Sequence, residues 1–241
     1  MKVIINADDF GLSEDVNRAV EHCFKKSIIS STTILTNFPS FTSAVRIAYD
    51  SNFNDAIGLH FNIVEGTPLS KSILRCERFC KNGKFSYKRN SAIFLSRREV
   101  FAIRQECESQ IIRLLESGIT PTHFDSHTHS HTEIPIFLAI IPILKKYNIR
   151  NIRRPLNYNV KHDYKWFYKL IYASILKLCG FRSTDYFCSF FDNRDVVLGF
   201  NQSIEFMLHP LMRKGFIVDS VLNKEIRENT FSKYFINYSE L

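Results

Sequence analysis

Strand and helix signals alternate along almost the whole of this 241-residue chain, and that alternation restricts the fold more than any other feature. Short apolar runs at 2–8, 30–36, 56–62, 122–126, 151–154, 186–191 and 204–208 read as strands, with a last one near 235–237. Amphipathic helices are expected at 14–26, 41–49, 97–117, 134–147, 164–179 and 220–229, with Ser13 as the N-cap of the first. Strands separated by helices cannot pair as hairpins. They form a parallel sheet with the helices outside it. About seven such units suggest a barrel, and 192–203 is too short for both a loop and a helix. The expectation is an α/β fold, an irregular (β/α) barrel, built as one domain over residues 1–241.

Polar groups recur where these strands end. Asp8-Asp9 closes the first, His60 the third, and Asp125, His127, His129 and His131 follow the fourth. Arg153-Arg154 ends the fifth, and His209 follows Phe206-Met207-Leu208. In barrels, side chains from the C-terminal ends of several strands build the site, and packing alone does not call for Asp, His and Arg there. Two adjacent acids repel, and a metal ion would stabilise both. Neighbours on a strand face opposite ways, so both acids can turn inward only if the chain bends, with Phe10-Gly11 the expected place. The acid and three histidines of Asp125-Ser126-His127-Thr128-His129-Ser130-His131 alternate. They fall on one face if the strand continues, which suits metal binding or proton transfer. An inward-facing Arg153 or Arg154 needs a carboxylate or an anionic substrate beside it. His60 and His209 taken singly fit structural roles as well.

Composition narrows the classes. No run of 18 apolar residues is present, and the chain opens directly into a strand, so neither a membrane span nor a signal peptide is expected. The six cysteines form no C-x-x-C pair, which suits free thiols and a cytoplasmic setting. The net charge of +8 is spread along the chain, so it speaks to solubility and steering, not to a nucleic-acid partner. The stretch 161–186, with Trp166, Phe167, Tyr168, Tyr172, Lys165, Lys169 and Lys177, reads as an outer barrel helix. Its alternative is a basic aromatic helix resting on a membrane surface.

Several segments together resemble the YdjC-like carbohydrate deacetylases, the family that includes chitooligosaccharide deacetylases. They are residues 6–13 (NADDFGLS), Ser31-Thr32-Thr33, 57–62 (IGLHFN), Gly66-Thr67-Pro68-Leu69, 121–131 (PTHFDSHTHSH), Arg153-Arg154-Pro155 and 205–210 (EFMLHP). The resemblance runs in order through nearly the whole chain and is weakest at 192–203 and after Pro210. It implies a barrel of the glycoside hydrolase and deacetylase type. It implies one divalent ion, Mg²⁺ or Zn²⁺, held by Asp9, His60 and His127. It also implies Asp8 as general base, Arg153 orienting Asp8, His209 acting near the leaving amine or the oxyanion, and a homodimer.

Two imidazoles and a carboxylate leave coordination positions for water and a carbonyl oxygen, which is the arrangement metal-assisted hydrolysis needs. The expected activity is removal of acetyl from an N-acetylated sugar, such as a chitooligosaccharide or another N-acetylhexosamine saccharide. The alternatives are a sugar-binding protein of the same fold and a metal-dependent hydrolase of another amide or ester.

Overall fold

The computed structural model describes residues 1–155, 164–191, 201–227 and 231–241. Ten strands and five α-helices occur among them. In chain order they are β1 (Lys2–Phe10), α1 (Glu14–Lys25), β2 (Ser31–Ile34), α2 (Phe41–Asp50), β3 (Ile57–Phe61), β4 (Cys80–Lys81), β5 (Lys84–Phe85) and α3 (Arg97–Glu116). Then come β6 (Phe124–Ser126), α4 (Ile134–Lys146), α5 (Tyr164–Leu178), β7 (Tyr186–Ser189), β8 (Ser203–Leu208), β9 (Pro210–Arg213) and β10 (Phe216–Asp219).

Six strands form one parallel sheet in the order β6-β3-β2-β1-β8-β7. The sheet curls. Ile152 bridges to Phe124 at the start of β6, and Asn151 bridges to Arg182, just before β7, so single bridges link the two edges. Isolated bridges at 151–152 thus stand where a seventh strand would close the sheet, and the result is an irregular (β/α) barrel. β1 is at its centre and is buried from Val3 to Phe10, as a strand covered on both faces must be. Full burial of Val3, Ile4 and Ile5 contributes roughly 1.5–3 kcal/mol each. A further bridge joins Val3 to Phe235 and draws the C-terminal segment onto the same strand.

Local signals account for the helix starts. The Ser13 hydroxyl accepts from Val16 N at 3.3 Å. Ser96 and Glu99 form a reciprocal capping box at the head of α3. α5 turns Tyr172 and Leu176 into the core, and Tyr172 donates to the His131 carbonyl at 2.9 Å. No described helix is long and apolar enough to cross a membrane. All six cysteines are free thiols, five of them buried.

Two local expectations fail. The helix expected at 220–229 does not form over its described part, 220–227 (228–230 lie outside the described residues). β9 and β10 instead make a hairpin through Lys214-Gly215, both at positive φ, as a two-residue turn requires. The Asp219 carboxylate then captures the Val221 and Leu222 amides, and Glu225 bridges back to Val218. Capture of those amides can begin a helix, but only one turn forms, Asn223 N to Asp219 O at 2.8 Å, before the chain folds back and Ile226 N bonds Ile217 O at 2.9 Å. The second failure concerns the histidine run. The strand stops at Ser126, and His127–Thr132 turns as a short 3₁₀ segment with Thr128 and His129 at φ of 52° and 58°. The three imidazoles therefore point to different surroundings.

Candidate active site

The C-terminal ends of β1, β3, β6 and β8, with residue 153, deliver their polar side chains to one place. β1 supplies two adjacent acids because the chain bends at Asp9 itself, at φ 67°, one residue before the expected point. Its register against β2 shifts between Ala7 and Phe10. Asp8 and Asp9 then both turn inward and face different partners. Gly11 is needed in the same bend, because a Cβ there would lie 2.7 Å from the Leu35 carbonyl oxygen.

Asp9 Oδ1 lies 2.8 Å from His127 Nδ1 and 3.2 Å from His60 Nε2. The ligand atoms of Asp9, His60 and His127 all fall within 4.8 Å of one another. His60 is held from behind, its Nδ1 2.6 Å from Asp125 Oδ1, and His127 Nε2 lies 2.8 Å from Glu65 Oε1. Each imidazole thus has a carboxylate on its far nitrogen, the usual arrangement around metal-bound histidine. Asp8, His60 and Asp125 form an overlapping group. Their oxygens are already engaged, Asp125 by Thr33 Oγ1 and Arg153, and Asp8 by Arg153 and Asn6. Among the described residues the Asp9 carboxylate meets only the two imidazoles, so the first group suits a cation better.

Arg153 is the hub of the second half. It is 1% exposed and donates through Nη1 and Nη2 to both oxygens of Asp8, each at 2.7 Å. Nη1 also lies 2.7 Å from Asp125 Oδ2, and Nε donates to Glu205 Oε1 at 2.7 Å. The Tyr238 hydroxyl donates to the other Glu205 oxygen. His209 stands across from Asp8, its Nε2 3.9 Å from Asp8 Oδ2 and its Nδ1 3.8 Å from Asp219 Oδ2.

Three buried carboxylates, Asp8, Asp125 and Glu205, surround one guanidinium, a fourth, Asp9, sits between the two imidazoles, and the titration of the site follows. Burial opposes the His60 imidazolium, but Asp125 and then Asp9 and Asp8 push it up to about 10. Burial likewise opposes charge on His127, and hydrogen bonds to Asp9 and Glu65 push it up to about 9. Asp9 is held well below the carboxylate range despite its burial, by His127 and His60. Glu205 is raised to about 7 by burial, against the pull of Arg153 and Tyr238. The excess negative charge that keeps protons on two imidazoles would hold a divalent cation in their stead, leaving both rings neutral as ligands must be. The donor set therefore fits such an ion.

The remaining histidines of the run do other things. His131 is fully buried between Ser126 Oγ at 2.6 Å and the Arg153 carbonyl at 3.0 Å, and burial lowers it to about 4. It is a neutral brace between β6 and residue 153. His129 sits edge-on to Phe187 at 5.7 Å. It lines a cavity of about 280 Å³ with Arg89, Lys169 and Arg153, beside the Asp8 side of the site. Sequence reasoning missed Glu65, Thr33, Glu205 and Asp219. Glu205 was the most findable, as a charged residue inside an apolar strand.

A curled parallel barrel that gathers Asp9, His60 and His127 at its strand ends carries a donor set that fits a divalent ion. The chain belongs to the YdjC-like protein family, whose profile it matches over residues 2–230. Proteins described as carbohydrate deacetylases are similar to it. The one from Thermoanaerobacter pseudethanolicus is 35% identical over 64% of this chain and 61% of its own length. That from Geobacillus stearothermophilus is 31% identical over 86% and 78%. The match to the former thus spans less than two thirds of that relative. The crystal structure of a protein from Enterococcus faecalis V583, described as a putative cellobiose-phosphate cleavage protein, superimposes with a TM-score of 0.72 over 99% of this chain and 98% of that one. Its 20% identity makes it evidence of fold alone.

Proposed function

We propose that residues 1–241 form one catalytic domain that hydrolyses the acetamide of an N-acetylated saccharide, such as a chitooligosaccharide or another N-acetylhexosamine saccharide. The observation that carries the reading is the meeting of Asp9, His60 and His127 within 4.8 Å, beside an Asp8 clamped at both oxygens by Arg153. The family membership and the relatives' description as carbohydrate deacetylases support the acetyl-sugar substrate.

Asp9, His60 and His127 would hold the ion, Mg²⁺ or Zn²⁺. When bound, it supplies Lewis acidity toward water and an amide carbonyl. Asp8 takes a proton from the attacking water as the water oxygen bonds to the acetyl carbon. Arg153 fixes the Asp8 carboxylate so that its lone pair faces that water. Asp125 holds the His60 ring from behind. His209, whose proton is retained by Asp219 and Asp8 against burial, gives a proton to the sugar nitrogen as the C–N bond breaks. The products are acetate and a free amino sugar.

Acetate release from a panel of N-acetylated saccharides, with Mg²⁺, with Zn²⁺ and with EDTA, tests the reading. Asp8→Asn should lower turnover by roughly 10²–10⁴-fold and still bind metal. His127→Ala should lose both. Full activity in Asp8→Asn would remove Asp8 as the base.

A further inference from the structure

Among the carboxylates described on the two ligand imidazoles, Glu65 is the most exposed, its side chain 51% open to solvent against 12% for Asp9. Packing therefore does not dictate an acid there. Its backbone, however, is held by a buried polar scaffold. Asn62 Oδ1 accepts from the Val64 and Glu65 amides at 2.8 and 3.3 Å, and Asn62 Nδ2 donates to the Glu65 carbonyl at 2.7 Å. Asn37 Nδ2 donates to the same carbonyl at 3.1 Å. Gly66 follows at φ 79°, where a Cβ would lie 2.8 Å from Asn37 Nδ2. Asn62 is locked in turn by Gln110 of α3, through its amide at 3.0 Å and its carbonyl at 2.6 Å. Glu106, one turn earlier, takes the Leu69 and Ser70 amides. Asn37, Asn62, Glu106 and Gln110 are all buried. What this scaffold presents to the site is the Glu65 carboxylate, 2.8 Å from His127 Nε2.

We propose that Glu65 is a positioning residue for the metal centre. It accepts from His127 Nε2–H, which fixes the tautomer and leaves Nδ1 as the nitrogen that faces Asp9 and the ion. The proposal rests on the reading of Asp9, His60 and His127 as ligands, and adds to it which nitrogen of His127 binds and what orients the ring. An oriented outer carboxylate raises ligand basicity, and its loss typically weakens metal binding 10–100-fold.

The experiment is a titration of the full chain with Zn²⁺ alone, and separately with Mg²⁺ alone, in the absence of saccharide. It compares the parent with Glu65→Ala, Glu65→Gln and His127→Ala. Glu65→Ala should bind about 10–100-fold more weakly. Glu65→Gln should recover most of the loss, because its amide oxygen still accepts from Nε2–H. The ¹⁵N signals of His127 in the Zn²⁺-loaded parent should report a protonated Nε2 and a coordinated Nδ1. Unchanged affinity in Glu65→Ala overturns the role. Loss as complete as in His127→Ala also overturns it, since Glu65 would then be a ligand itself. Coordination through Nε2 overturns it as well. Parent-like affinity in His127→Ala would instead sink the ligand assignment on which the inference stands.

Discussion

Arg153 shows most directly how single residues are committed in this protein. Its guanidinium serves Asp8, Asp125 and Glu205 at once, all of them buried. Replacing it with Met leaves three acids without their cation, and removing one partner of a buried pair costs about 3–5 kcal/mol. Arg153→Met should show that loss in urea unfolding, with turnover falling further than stability accounts for. His209 offers a test in pH. Asp219 and Asp8 raise its pKa against the effect of burial. The donating form is the imidazolium, so activity is present below that pKa and is lost as pH rises through it. Asp219→Asn removes one of the charges that raise it. The alkaline limb of kcat should move to lower pH, and an unmoved limb would exclude His209 as the acid. At this scale the sequence was informative, because chemistry is a property of residue type. Asp8, Asp9, His60, His127, Arg153 and His209 stand out as polar groups at the ends of apolar runs. Glu65 did not, because an acid in a Gly-Thr-Pro turn has the composition of any solvated loop.

Among the elements, β3 and β6 are joined by a contact that leaves no room for variation. The His123 ring stacks on Tyr238 at 3.8 Å and lies over Gly58, where a Cβ would fall 2.4 Å from ring carbon Cε1. His123 Nε2 meets Asn6 Oδ1 at 3.2 Å, and Asn6 donates to Asp8 at 2.9 Å. Gly58→Ala should therefore cost about 1–3 kcal/mol by overpacking, read as a lower urea midpoint. It should also lower kcat through the displaced Asn6. Element boundaries were legible wherever a periodic apolar run met a cap, as at Ser13 and Ser96. They were not where a side chain captures the backbone. Ser126 does this after β6, where its hydroxyl takes the His131 amide at 2.8 Å, and after β10 the chain folds back so that Ile226 N bonds Ile217 O at 2.9 Å. Strand periodicity continues on paper through His127 and His129. The real chain turns left-handed at residues 128 and 129, and propensity gives no warning of it.

For the molecule as a whole, the site is a charge imbalance enclosed by a barrel, and its ion should be a folding ligand. An ion present at 100 times its Kd stabilises the fold by about 2.7 kcal/mol. For a chain of this size that corresponds to a rise in Tm of about 5–10 °C. Thermal unfolding with Zn²⁺ or Mg²⁺ against EDTA should show the rise, and His127→Ala should abolish it. The alternation of strands and helices determined the barrel, and residue type at the strand ends determined which polar groups it gathers. Both are properties of short stretches of chain, so they survive in one dimension. Tertiary structure alone decided that both acids of Asp8-Asp9 turn inward, and that His127, His129 and His131 part company. It also decided that Glu65, Glu205 and Tyr238, from distant parts of the chain, complete the shell. Each of those outcomes depends on a bend of one or two residues or on a contact across 30 or more positions. No local period encodes either, because the energy that selects them exists only once the barrel has closed.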